Sequence, residues 1–89
     1  MQLSSTAALG RVLEAARIMA GLDQAALGKE AGVAGSTVSN VENGHDARDE
    51  TVKTIRRTLR KKGVSITFDT QNGLASVAIV FTEPEDEDE

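Results

Sequence analysis

The stretch Gln24–Gly44, QAALGKEAGVAGSTVSNVENG, decides how this chain folds. Leu27 and Ala31 stand four residues apart, the spacing of the inward face of a short helix, and Gly28 between them leaves room for another helix to come close. Gly32 follows, and a residue without Cβ accepts the left-handed backbone that ends one helix and turns the chain into the next. Val33 supplies an apolar plug for that turn. Val38 and Val41 give a second helix, expected over about 35–42, its buried stripe, which leaves Ser36, Thr37, Ser39, Asn40 and Asn43 on its other sides. Two short helices across a glycine turn, the second with hydrogen-bonding side chains facing out, have the layout of a helix-turn-helix, whose second helix enters the major groove of duplex DNA. Ordinary helical hairpins also space apolar residues by three and four. The two glycines at fixed offsets, with ENG after the second helix, separate this stretch from them.

Outward from this unit the pattern stays helical on both sides. Ahead of it, the Ser4-Ser5-Thr6 cluster offers hydroxyl caps for a helix running to about Ala20, with Leu9, Val12, Leu13 and Ala16 on one face and Gly21 as its stop. Asp23 is placed to cap the helix that Gln24 opens, whereas Ala34 is a poor cap for the next one. Beyond Asn43-Gly44 and the polar loop His45–Arg48, Asp49 begins a fourth helix on Val52, Ile55 and Leu59. Its remaining face is basic, with Lys53, Arg56, Arg57, Arg60 and Lys61, and reads equally as a solvated face or as a phosphate-binding stripe.

From Val64 the period changes to alternation, and Asn72-Gly73 is a strong type I′ hairpin signal. Placing the turn there pairs Phe68 with Val77, Ile66 with Ile79 and Val64 with Phe81, so that six apolar residues share one face. A two-stranded ribbon is marginal alone, and such a face asks for cover from the helices or from a second copy of the chain. The expected architecture is therefore mostly α, a bundle of about four helices over residues 1–63, a C-terminal antiparallel β-hairpin over 64–82 as the dimerisation element, and a disordered acidic tail over 83–89.

The 89 residues make one small domain, near the size at which a single core is only just sufficient, which again favours association. The absence of cysteine removes disulfides and thiolate metal sites and suits a reducing cytoplasm. No stretch has the length of a membrane span, and the start of the chain lacks the pattern of a signal peptide. The net charge of −4 is an average over unlike parts. The run EPEDEDE from Glu83 holds six of the fourteen Asp and Glu; the rest of the chain sets ten Lys and Arg against eight carboxylates. Affinity for phosphates follows local placement of charge, so the acidic average does not oppose DNA. His45 is the only histidine and stands in the polar loop, away from any ligand or nucleophile cluster, so neither catalysis nor a metal or other cofactor is expected.

Over about residues 9–60 the segments GLDQAALGKEAGV, STVSNVENG and DETVKTIRRTLRKKG resemble, in order and spacing, the Cro/repressor-type helix-turn-helix proteins of the XRE family. The resemblance implies a homodimeric transcriptional regulator acting on double-stranded DNA. It places Ser36, Thr37 and Asn40 at base edges, with the Asn40 amide able to bond adenine bidentately. It places Gln24, Ser39, Asn43 and Gly44 at phosphates, and matches Arg17 and Glu42 to a largely buried ion pair of the family. One position departs from the pattern: Gly35 stands where the family commonly has a long polar or basic reader. That glycine and the acidic tail leave a second reading open, an antitoxin or antiactivator whose hairpin grips another protein, with DNA binding secondary or lost.

Overall fold

The computed structural model describes residues 5–45, 48–71 and 74–83. Helices α1 (Ser5–Met19), α2 (Gln24–Ala31), α3 (Gly35–Glu42) and α4 (Asp49–Lys61) precede an antiparallel pair of strands, β1 (Val64–Gln71) and β2 (Leu74–Phe81). This is the expected mostly helical architecture with its C-terminal hairpin. Caps for α1 upstream of Ser5, the Asn72-Gly73 turn and the acidic run from Pro84 lie outside the described residues.

Each end of the α2–α3 unit follows from local chemistry. The Asp23 carboxylate accepts a hydrogen bond of 2.7 Å from the Ala26 N–H, satisfying one of the amide groups that a helix start leaves without a partner. Gly32 ends α2 at φ 78°, in the left-handed region, and the Val33 N–H closes the turn by donating to the Gly28 carbonyl at 2.8 Å. The turn crosses α2 so closely that a Cβ at Gly28 would stand 2.7 Å from the Val33 carbonyl oxygen. Ala34 gives α3 no side-chain cap, so the start of α3 rests on packing rather than on capping.

Packing comes from one core that every helix and the first strand share. Leu13 and Ala16 of α1, Leu27 of α2, Val38 and Val41 of α3, and Val52, Ile55 and Leu59 of α4 are buried together with Val64 and Ile66 of β1. Fully burying a side chain of this size stabilises the fold by about 1.5–3 kcal/mol, so two strand residues add as much as two helix residues. The strands pair in the anticipated register, Val64 with Phe81, Ile66 with Ile79 and Phe68 with Val77.

The inward face of the hairpin is not uniformly available to a partner. Val64 and Ile66 are only 3% and 6% exposed and belong to the chain's own core, and Ile79 packs against that core. The cause is connectivity: β1 leaves directly from α4 and lies over α4 and α1, so those helices cover it first. Phe81 is 65% exposed, while the side chains of Phe68 and Val77 lie outside the described ones. The end of β2 is tied back to α4 by a 2.8 Å bond from the Thr82 N–H to the Gly63 carbonyl. No helix among the described residues is long and apolar enough to cross a membrane.

Candidate nucleic-acid interface

A recognition helix can only read DNA if its axis is held fixed, and here three elements are tied to the last residue of α3. The Glu42 carboxylate is buried, with its side chain 3% exposed. Arg17 of α1 meets it through Nε at 2.7 Å and Nη2 at 3.2 Å, and its Nη1 donates to the Leu22 carbonyl at 3.0 Å. Gln24, the first residue of α2, donates from Nε2 to the same carboxylate at 2.9 Å. The hydrogen bond and charge of Glu42 raise the pKa of the Arg17 guanidinium above its ordinary value, against the opposing effect of burial. The arrangement spans α1, the turn after it, the start of α2 and the end of α3. Such buried pairs do more to fix orientation than to add stability.

Gln24 was singled out in the sequence for a phosphate, and its geometry adds a second partner. One amide N–H is occupied by Glu42, which fixes the side chain at the start of α2, and an amide nitrogen carries a second N–H besides. The free backbone amides of that helix end favour an anion at the same place.

The outer face of α3 is polar as anticipated. Ser36 and Asn40 are exposed, and Thr37 and Ser39 half-buried, opposite the buried Val38 and Val41. Past the helix, Asn43 is exposed and Gly44 turns the chain at φ 81°, with the His45 N–H donating to the Asn40 carbonyl at 2.8 Å. The Asn43 amide reaches the Ser39 hydroxyl only at 3.5 Å, too long to immobilise either group. Thr37 and Asn40 line a groove together with Val33, Ala34, Arg48 and Thr51. The matching family model, described as helix-turn-helix, covers residues 13–65, from the core of α1 to the first residues of β1.

The chain belongs to the XRE family of helix-turn-helix proteins. It is a DNA-binding helix-turn-helix regulator. No curated protein matches the chain.

Within this helix-turn-helix, Arg48 is the residue that sequence reasoning missed. It sits at the N-cap of α4 with no side-chain cap bond, a cation at the positive end of a helix whose first turn carries the Asp49 and Glu50 carboxylates. That mismatch was visible in the sequence as an arginine immediately before Asp49, and the fold brings it beside Thr37 and Asn40. Gly10 was missed as well: a Cβ there would lie 2.5 Å from the Glu42 carbonyl oxygen and 2.6 Å from that of Val41, so α1 touches the backbone of α3 just where the ion pair closes. Gly35 has no such steric reason. A Cβ at that position would meet Ala25 Cα at 3.4 Å, an ordinary contact, so packing tolerates a side chain where the family commonly carries one.

Proposed function

We propose that this XRE-family protein is a homodimeric transcriptional repressor that binds a pseudo-palindromic operator. The observation that carries the reading is the exposed polar face of α3 held by the Arg17–Glu42–Gln24 network. In this reading Ser36, Thr37 and Asn40 contact base edges, Asn40 with the greatest discrimination, since an amide bonds adenine through two atoms. Gln24, Ser39, Asn43 and the Gly44 backbone contact phosphates, and Arg48 joins them from the start of α4. With Gly35 contributing no direct contact, operator choice leans on DNA shape and half-site spacing. The dimer contact falls to the part of the hairpin's inward face that the core leaves open: Phe81 at the end of β2 is a large apolar residue 65% exposed among the described residues.

Selection from a random duplex pool with purified protein tests the operator. An inverted repeat with half-site centres about one helical turn, ~34 Å, apart is expected, and a pool with no enrichment rejects sequence-specific regulation in favour of a protein-interaction role. Sedimentation tests the dimer. Phe81→Asp is expected to sediment as a monomer and to lose cooperative binding to the full operator while keeping its helical circular dichroism; a monomeric wild type at micromolar concentration removes the dimeric model.

A further inference from the structure

The strongest concentration of positive charge is away from the recognition face. Lys53, Arg56, Arg57 and Arg60 of α4, with Ser65 and Ile66 of β1, line a groove of about 420 Å³. Arg56 is pinned across it by a 2.9 Å bond from Nη2 to the Ile66 carbonyl, while Lys53, Arg57 and Arg60 are exposed. Among the described residues no carboxylate lines it. Thr51, which faces the α3 groove, and this stripe are separated by roughly 120–180° around α4 at ~100° per residue. A duplex lying on α3 therefore leaves the basic groove facing elsewhere.

We propose that the groove between α4 and β1 is the docking site of the chain's own acidic segment, Pro84–Glu89. Three observations converge. The segment carries five carboxylates and no base, the complement of the groove's lining. Its root is already beside α4, because the Thr82 N–H is bonded to the Gly63 carbonyl at 2.8 Å, two residues after that helix ends. The reach is sufficient: from Gly63 back to Lys53 is about 15 Å along a helix, and six extended residues cover about 20 Å. Tethered at so short a distance, the segment meets the groove at an effective concentration in the millimolar range, which few free polyanions match. Its role is to neutralise the basic groove, so that the protein's hold on DNA is confined to the face that reads sequence.

The chain has no cysteine, so Asp88→Cys carrying a nitroxide label gives a single probe on the otherwise unaltered 89-residue chain. At about 10 mM salt, where the Debye length is about 30 Å, amide signals of residues 53–60 and of Ser65 are expected to lose roughly half their intensity or more, and to recover at about 1 M salt, where it is about 3 Å. Lys53→Gln with Arg57→Gln, both exposed and outside the core, should restore the signals at low salt. Weak broadening spread over the whole molecule, broadening centred on α2 and α3, or broadening that survives the double substitution overturns the proposal. So does broadening in an isotope-labelled, spin-free copy mixed with a labelled one, which assigns the groove to a second copy's tail.

Discussion

At Asn40 a single amide separates positioning from reading. It is exposed on α3 and lines one groove with Arg48, and in the proposed function it reads one base position per half-site. Asn40→Ala is expected to cost about 1–3 kcal/mol on the specific site and to relax preference at that position; equal losses on specific and random duplexes, measured by titration at fixed salt, reassign it to the backbone. Gly10 sets two local effects in opposition. Alanine in a helix interior gains up to ~1 kcal/mol over glycine, but its Cβ would stand 2.5 Å from one backbone oxygen of α3 and 2.6 Å from another. Backbone gives way less easily than a side chain, so Gly10→Ala is expected to be destabilising on balance, by about 1–3 kcal/mol. A urea midpoint at or above that of the wild type shows that α1 stands further from α3.

Among the elements, α1, α2 and α3 meet at one carboxylate. Arg17→Met leaves Glu42 buried without its cation, and such a loss costs about 3–5 kcal/mol, readable as a lowered urea midpoint with an unchanged slope. Replacing both residues with apolar ones of similar volume should recover most of that stability while loosening operator specificity, since orientation rather than burial is what the pair supplies. Much of this level was legible in the chain itself. Asp23, Gly32 and the Asn43-Gly44 pair mark ends by local chemistry, and α3 falls over 35–42 as its valines imply. The hairpin register followed from the alternation around Asn72-Gly73. What stayed hidden depends on three-dimensional neighbours: Gln24 bonding a residue eighteen positions away, Arg48 reaching the α3 groove, and how fully the helices cover Val64 and Ile66. Periodicity reports that a face is apolar; it does not report what covers it.

For the molecule as a whole, stability is concentrated in a core that crosses from helix to strand. A fragment ending at Gly63 retains all four helices yet loses Val64 and Ile66, together about 3–6 kcal/mol, a large share of the 5–15 kcal/mol typical of a folded domain. That fragment is expected to show reduced helical circular dichroism and a broad, weakly cooperative melt, whereas one ending at Thr82 keeps the Thr82–Gly63 bond and melts as the full chain does. A sharp two-state melt for residues 1–63 contradicts the shared core. The Thr82–Gly63 bond carries a consequence for exchange of parts between regulators. Because the exit of the hairpin is stitched to the exit of α4, a chimera that grafts these four helices onto a foreign C-terminal module severs the stitch and uncovers the core at one stroke. The transplantable piece is the helices together with both strands, and the seam for joining it to anything else lies after Thr82.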